Sequence, residues 1–378
     1  MLTSFKISGF RRYANFYLQD LSRINFILGE NNIGKTSILE AIFSWSCGQN
    51  ISPMFNIPVS RCRFSNFQNR YWMMEELISI FHNKKSLPFT MSFSGIYNCN
   101  EEKFEHSVYP SDILTDYDSS YKNTQGKVVP SISNSSINDQ NSLSINQFGS
   151  VQLAPVFTIA EWQVEHNGKV VSENLTSPVN PISKVSPFLF AKYIDLFSHI
   201  TVNEIIQIYS NLKRNNLIED VIQELNKVFP EIKNIDMIPY PDGSVSPISI
   251  LKDGTRLPLY AYGDGVQRWF YVLGAIALYK NSIICIGEID TGFHPAAQAE
   301  FSKHLAQYSK NNNVQLFLTT HNVEFIDNFL KSVKELGEEY LEETRIITLR
   351  NSGSNITQRT LDGKMALDGR NEFSLELR

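Results

Sequence analysis

Apolar and polar positions in the first part of the chain follow the spacing of strands and then of a helix. Residues 5–10 (FKISGF) alternate in character, and residues 16–20 can form a second strand. Residues 24–28 (INFIL) form a short apolar run rich in branched and aromatic side chains, which predicts a buried strand. Apolar residues then recur at helical spacing over 38–43. The pattern therefore predicts a buried strand that is connected to a helix by the loop at 29–37.

The middle of the chain alternates between strand-like, helical and polar segments. Residues 188–229 carry apolar positions on recurring helical faces. Residues 131–146 form a polar, low-complexity stretch that indicates a mobile loop or the tip of a hairpin. Further strands are predicted at 89–95, 102–108, 151–159, 161–171, 232–238, 247–251, 282–286 and 314–319, and a helix at 71–82.

Composition narrows the class of protein only moderately. The chain has 378 residues, 42% of them hydrophobic and 19% charged, which is typical of a globular protein with one large domain or two. Its net charge of -5 argues against a general affinity for nucleic acid, although Lys6, Arg11 and Arg12 could form a local basic patch. The four cysteines lack metal-site spacing, and no apolar stretch could span a bilayer, so we expect a cytoplasmic protein with no membrane partner.

The loop at 29–37 (GENNIGKTS) matches the phosphate-binding pattern GxxxxGK[ST] between a strand and a helix. In that context backbone N–H groups point at phosphates, helped by the helix dipole. Lys35 would reach the β- and γ-phosphates, and the Thr36 hydroxyl would ligate Mg²⁺. The residues expected at the phosphates are Gly29, Asn31, Asn32, Gly34, Lys35, Thr36 and Ser37. The sequence thus predicts that the chain binds ATP or another nucleoside triphosphate with Mg²⁺.

Two buried strands downstream end in residues that suit catalysis. The strand at 282–286 is followed by Glu288, and a carboxylate at the carboxyl end of a buried strand lies where an α/β sheet places its ligand. We expect Glu288 to polarise the attacking water. The strand at 314–319 is followed by His321, which could hydrogen-bond the γ-phosphate or that water.

A third motif is the glycine-rich segment 259–268 (LYAYGDGVQR), which leads into an apolar helix. Glycines at the start of a helix offer backbone amides to an anion. A glycine-rich helix cap with no ligand would have the same sequence pattern. The position of this segment just before the strand that precedes Glu288 favours a role in the nucleotide site.

Together these motifs resemble the ABC-type ATPase heads of the SMC and OLD (overcoming lysogenization defect) group. More closely, the chain is similar to compact bacterial AAA-type, OLD-like ATPases that are often paired with a nuclease or other effector in phage defence. The matching segments, from Phe5 to Ile326, are FKISGFRRY, INFILGENNIGKTSILEAI, LPLYAYGDGVQRWF, GEIDTGFHP and LFLTTHNVEFI. The resemblance implies an α/β fold, an ABC-type P-loop ATPase head with mixed sheets and an inserted helical lobe. We expect residues 1–180 and 232–378 to form the head and 181–231 the helical insertion.

The resemblance also implies that two protomers sandwich ATP. Gly263, Asp264 and Gly265 would then act as a signature across a homodimer interface or within a higher oligomer. The adjacent D-loop-like residues would be Asp290, Gly292 and His294.

The chain departs from the family pattern at two positions. Gly287 stands where the family usually has the acidic residue that holds magnesium through water, so the metal shell would rely on Thr36 with Glu288 or Asp290. Tyr262 stands where transporter-type heads place a serine.

The leading hypothesis is a slowly hydrolysing ATPase that serves as sensor or regulator in a bacterial anti-phage system. Because no Toprim-like acidic set follows His321, we expect the destructive activity, that of a nuclease or Toprim-type effector, to belong to a separate protein. The loop at 131–146 and the helices of 188–229 are candidate docking surfaces. One alternative is a non-hydrolysing nucleotide switch, motivated by Gly287. Another is an SMC-like DNA-repair ATPase that acts on DNA directly.

Overall fold

The β-structure of the described residues consists of two six-stranded sheets and one three-stranded sheet. The computed structural model describes residues 1–51, 78–84, 87–110, 157–177, 185–353, 355–373 and 375–377. The predicted loop at 131–146, most of the predicted helix at 71–82 and the start of the predicted strand at 151–159 lie outside these ranges.

In chain order, the strands are β1 (Leu2–Phe10), β2 (Tyr13–Leu18), β3 (Ile24–Gly29), β4 (Phe89–Tyr97), β5 (Asn100–Pro110), β6 (Phe157–His166), β7 (Lys169–Ser177), β8 (Ala191–Ile194), β9 (Ile232–Pro239), β10 (Val245–Leu251), β11 (Arg256–Pro258), β12 (Ile283–Ile286), β13 (Gln315–Thr319), β14 (Thr344–Ser352) and β15 (Asn355–Asp362). The helices are α1 (Lys35–Cys47), α2 (Val202–Arg214), α3 (Ile218–Val228), α4 (Leu259–Tyr262), α5 (Asp264–Leu278), α6 (Pro295–Asn311), α7 (Val323–Lys334), α8 (Glu338–Glu342) and α9 (Gly363–Phe373).

One six-stranded sheet is antiparallel, with strand order β2-β1-β4-β5-β6-β7. The strand predicted at 16–20 lies earlier, because β2 ends at Leu18 and Asp20 has a left-handed φ of 56°. The sequence also predicts two separate strands at 151–159 and 161–171. That separation is wrong, because β6 continues through residue 160 to His166. The chain instead turns at Asn167-Gly168, whose φ values of 51° and 75° suit a two-residue hairpin.

The second six-stranded sheet has the order β15-β14-β3-β13-β12-β8, and all neighbours except β14 and β15 pair in parallel. Every residue of β3, β12 and β13 is buried, which explains their largely apolar sequences. Because these three strands are parallel, the residues that follow them meet at one edge of the sheet.

This parallel sheet separates two hydrophobic cores. Phe26 and Ile284 point into a core built with α5 and its neighbouring helices, whereas the adjacent Ile27 and Cys285 point into a core built with α1 and the antiparallel sheet. The alternation follows from the two-residue period of a strand. In the first core every residue of α5 from Gly265 to Ala277 is buried.

The segment 188–229 contains a strand that its pattern did not predict. Residues 191–194 form β8, which pairs in parallel with β12, and the helices begin only at Val202. The continuous helical prediction is therefore wrong at its start, because four residues are too few for the period to distinguish a strand from a helix. The strands predicted at 232–238 and 247–251 are confirmed as β9 and β10. Within the described ranges, no helix combines the length and apolar character needed to cross a bilayer.

The contact between α5 and α2 predicts that Gly274→Ala destabilises the protein. A methyl group at Gly274 would lie 2.5 Å from Ile208 Cγ2 and 3.2 Å from Leu212 Cδ1. Overpacking of this kind costs about 1–3 kcal/mol, which exceeds the gain of roughly 1 kcal/mol in helix propensity. The free energy of unfolding in urea measures the net effect. In an Ile208→Ala background the same substitution should no longer destabilise, and equal losses in both backgrounds would contradict the contact.

Candidate functional site

The phosphate loop between β3 and α1 has a backbone that few side chains allow. Gly29, Asn32 and Gly34 have φ values of 140°, 61° and 102°, all in the region that favours glycine. A Cβ atom at Gly34 would lie 2.6 Å from the Tyr13 hydroxyl, so glycine is required there for space as well. Among the described residues, no side chain caps the start of α1 at Lys35. The amides of this first turn therefore suit an anion.

Lys35 is buried beside the loop, with 5% of its surface exposed. Its Nζ donates to the carbonyls of Gly29 at 2.8 Å and Glu30 at 2.9 Å, and it lies 3.4 Å from His321 Nδ1. Burial lowers the pKa of Lys35, and the nearby Glu288 carboxylate opposes that effect. An anionic phosphate at the loop would stabilise the lysine charge further.

Arg11 and Arg12 do not form a free basic patch. Arg11 Nε lies 2.7 Å from Oε2 of Glu40, a buried residue of α1. Arg12 donates from Nη1 to the carbonyl of Asn32 in the phosphate loop. The turn after β1 therefore supports the phosphate loop, whereas Lys6 is exposed on β1.

Glu288 follows β12 in a left-handed conformation, with φ at 49°. Its N–H donates to Thr319 Oγ1 at 3.0 Å, and its Oε1 lies 3.2 Å from His321 Nε2. Burial raises the pKa of Glu288, and the Asp290 carboxylate raises it further, while His321 and Lys35 oppose the shift. A carboxylate with a raised pKa is suited to accepting a proton near neutral pH.

His321 connects the phosphate loop to Glu288. Its Nδ1 faces the ammonium of Lys35 at 3.4 Å, and its Nε2 faces the Glu288 carboxylate at 3.2 Å. A neutral imidazole with its hydrogen on Nε2 satisfies both contacts, because it accepts from the lysine and donates to the carboxylate. Three residues that the sequence assigns to separate motifs therefore form one continuous line.

The glycine-rich start of α5 packs against the D-loop-like segment of the same chain. A Cβ atom at Gly265 would lie 2.5 Å from the carbonyl oxygen of Gly292. Asp264 is partly exposed, and its Oδ1 lies 2.8 Å from Nε2 of the buried His199. Gly263 has a φ of 126°, and a Cβ atom there would meet nothing within 4 Å. Its outer side is thus open to another molecule.

The other D-loop-like residues hold the loop together. Thr320 Oγ1 donates to Asp290 Oδ1 at 2.5 Å, which links the ends of β12 and β13. His294 is exposed, and its carbonyl accepts from Ala297 N at 2.9 Å at the start of α6.

The residues at the end of β12 and the start of α1 fit a magnesium ion that arrives with a nucleotide. The Thr36 hydroxyl and the Glu288 carboxylate are oxygen donors, and magnesium usually combines one or two of these with phosphates and water. Across the described ranges, no group of three or more His, Cys, Asp or Glu side chains is arranged to hold a metal. A Cβ atom at Gly287 would meet only the Ile194 carbonyl oxygen, at 3.8 Å, so the site has room for the missing acidic side chain.

Sequence reasoning left two site residues without a role, Arg268 and His199. Arg268 is fully buried, and its Nη2 donates to the carbonyls of Gly287 and Glu288, each at 2.7 Å. The available signal was one basic residue in a largely apolar helix, because a charge is rarely buried without a specific partner.

Comparison with known proteins assigns the chain to a family. The model of the AAA_15 family, described as an AAA ATPase domain, matches residues 1–326. The chain belongs to this AAA ATPase family. It is therefore an ATPase, and the predictions of ATP binding and ATPase activity are confirmed.

Two relatives and a solved structure are similar to this chain. An ATP/GTP phosphatase of Helicobacter pylori is 24% identical over 380 residues, covering 96% of each protein. An uncharacterized protein of Methanocaldococcus jannaschii is 29% identical over 116 residues, 31% of this chain and 98% of that protein. An SMC head bound to the C-winged helix domain of ScpA has a TM-score of 0.51 at 14% identity, covering 97% of this chain and 99% of that one.

A further SMC head structure supports the same fold. An SMC head from Pyrococcus furiosus with an extended coiled coil, bound to the C-terminal domain of ScpA, has a TM-score of 0.51 at 11% identity and covers 99% of both chains. The predicted fold class, an ABC-type P-loop ATPase head with mixed sheets, is confirmed. The roles of individual site residues and the boundaries of the three parts stay predictions.

The buried position of Glu288 predicts that Glu288→Gln stabilises the nucleotide-free protein. Because the folded state raises the pKa of this carboxyl, the ionised form at about pH 8 costs stability that is regained as the pH falls and the carboxyl is protonated. The melting temperature of the variant should exceed that of the wild type at pH 8, and the difference should shrink towards pH 5. Glu372→Gln, at an exposed position, is the control. A destabilised Glu288→Gln at pH 8 would contradict the prediction.

Proposed function

We propose that this AAA ATPase hydrolyses ATP slowly at Glu288 and closes on a second copy of itself when ATP is bound. The line formed by Lys35, His321 and Glu288 carries the proposal. His321 lies between the other two residues, 3.4 Å from Lys35 Nζ through Nδ1 and 3.2 Å from Glu288 Oε1 through Nε2. The phosphate-binding loop is thus connected to the carboxylate.

The proposed chemistry assigns one role to each member of this line. Glu288 accepts a proton from the attacking water, for which its raised pKa suits it. Lys35 and the loop amides stabilise the negative charge on the γ-phosphate, and His321 orients the water or the phosphate. Magnesium held by Thr36 and Glu288 would neutralise phosphate charge.

The signature residues support closure by a second copy. The open side of Gly263 and the partly exposed Asp264 lie at the start of α5, where backbone amides suit an anion. ATP held between the phosphate loop of one copy and this segment of the other would make the dimer depend on nucleotide, and hydrolysis would release it.

For the biological role, we propose a cytoplasmic sensor or regulator in a bacterial anti-phage system with a separate effector, a nuclease or Toprim-type protein. This part rests on the resemblance to OLD-like ATPases. The SMC head that holds the C-winged helix domain of ScpA shows that a head of this fold can dock a partner. The ATP/GTP phosphatase relative supports nucleotide hydrolysis. Direct action on DNA stays an alternative, to be tested by salt-dependent DNA binding.

The proposed function predicts that Glu288→Gln traps a dimer in the presence of ATP and magnesium. Removing the base should slow phosphate release by about 100-fold or more while leaving nucleotide binding intact. Light scattering should then show a doubled mass for the variant with ATP and a single mass without it. Glu338→Gln, on exposed α8, should behave as the wild type. Release of phosphate from Glu288→Gln at the wild-type rate would contradict the role of this carboxylate.

Gly287 favours a second candidate function, a nucleotide switch that hardly hydrolyses ATP. A missing outer carboxylate weakens a metal site by about 10- to 100-fold in affinity or activity. In such a switch, binding and exchange of nucleotide, rather than hydrolysis, would change the state of the protein. Equal and near-background phosphate release from the wild type and Glu288→Gln would favour this candidate.

The space beside Gly287 predicts that Gly287→Asp is a gain-of-function variant. The new carboxylate has room, and it would position magnesium, so phosphate release should rise and half-saturation should occur at lower magnesium concentration. Gly287→Asn is the matched control because it has nearly the same size and no charge. A magnesium dependence unchanged in Gly287→Asp, or equal in both variants, would show that the missing acid does not limit the reaction.

A further inference from the structure

We propose that Arg268 is a positioning residue that fixes the main chain of Glu288 and links it to the start of the signature helix. The inference rests on the proposed role of Glu288 and adds a residue that holds it in place. It also gives the signature segment and the catalytic carboxylate a direct mechanical connection within one chain.

The first part of the connection is a fork of two short hydrogen bonds. Arg268 lies in the second turn of α5 with its side chain fully buried. Its Nη2 donates to the carbonyl oxygens of Gly287 and Glu288, each at 2.7 Å. Burial lowers the pKa of Arg268 only to about 10, because Asp264, Asp290, Asp195 and Glu288 favour its charge. The fork is therefore charge-assisted at neutral pH.

These bonds act on a backbone that would not hold its conformation alone. Glu288 has a φ of 49°, which is unfavourable for a residue with a Cβ atom. Such conformations persist where surrounding contacts determine them, and they are frequent at active sites. The Thr319 hydroxyl holds the N–H of Glu288, and Arg268 holds its carbonyl. The side chain of Glu288 is thereby directed at His321.

The second part of the connection runs back to the signature. Arg268 Nη1 lies 3.3 Å from Nδ1 of His199, whose Nε2 lies 2.8 Å from Oδ1 of Asp264. His199 is 1% exposed, and a neutral imidazole with its hydrogen on Nε2 accepts from the arginine and donates to the aspartate. Asp264 is partly exposed, so it can respond to a ligand held by a second copy. A displacement at Asp264 would reach Glu288 through His199 and Arg268.

A purely structural role for Arg268 makes different predictions. In that case its loss lowers the fraction of folded protein, and each folded molecule works as before. A positioning role instead changes the reaction of molecules that still bind nucleotide. Rates must therefore be normalised to the number of ATP-binding sites in each preparation.

The test compares Arg268→Lys, Arg268→Gln and the wild type in steady-state ATP hydrolysis, with sites counted by ATP titration. Lysine keeps the charge, but its side chain is shorter and its single nitrogen cannot contact the two carbonyls and His199 at once, as Nη2 and Nη1 of the arginine do. The value of kcat per site should therefore fall by about 10- to 100-fold with KM nearly unchanged. Glutamine removes the charge as well as these contacts, so kcat per site should fall at least as far as in Arg268→Lys.

A double-mutant cycle tests the link to the signature even if Arg268→Gln does not fold. His199→Asn should lower kcat per site in the wild type and have little further effect in Arg268→Lys, since the connection is already broken. Wild-type kcat per site in Arg268→Lys, or additive effects of the two substitutions, would overturn the inference. Wild-type hydrolysis by Glu288→Gln would instead overturn the proposed function, whatever the arginine variants show.

Discussion

The first turn of α1 is the constraint on which the rest of the structure depends. Gly29, Asn32 and Gly34 adopt left-handed conformations that turn the loop so that α1 starts without a side-chain cap, within the residues the structure describes. Lys35 lies buried beside that turn, where its charge is disfavoured by burial. An anionic ligand bound at this turn would interact favourably with the backbone amides, the helix dipole and the desolvated lysine.

Strand order explains why the catalytic candidates form a line. β13 lies between β3 and β12, so His321, which follows β13, falls between Lys35 after β3 and Glu288 after β12. Buried Arg268 then connects Glu288 to α5, which also carries the signature. The site is thus built from the edge of one parallel sheet and from the helix packed on one face of it. In the proposed role of Arg268, this arrangement transmits an event at α5 to Glu288.

Much of this could be predicted from sequence, and the failures have physical causes. The phosphate loop and the strands before Glu288 and His321 are local patterns, and they lie where expected. Local sequence patterns could not predict that β13 lies between β3 and β12 in the sheet, because in the chain β12 comes before β13. The four residues of β8 are too short for a period, while Asn167-Gly168 was a readable hairpin signal. The role of Arg268 depends on two carbonyls about 20 residues away, which no spacing reveals.

The central claim is that triphosphate binds at the first turn of α1 with Lys35 as its cation. Titration calorimetry of the wild type and Lys35→Ala with magnesium and a non-hydrolysable ATP analogue tests it most directly, with Lys331→Ala, at an exposed position on α7, as the control. The account predicts saturable binding by the wild type and the control and its loss in folded Lys35→Ala. No binding by the wild type, or equal affinity in Lys35→Ala, would contradict it.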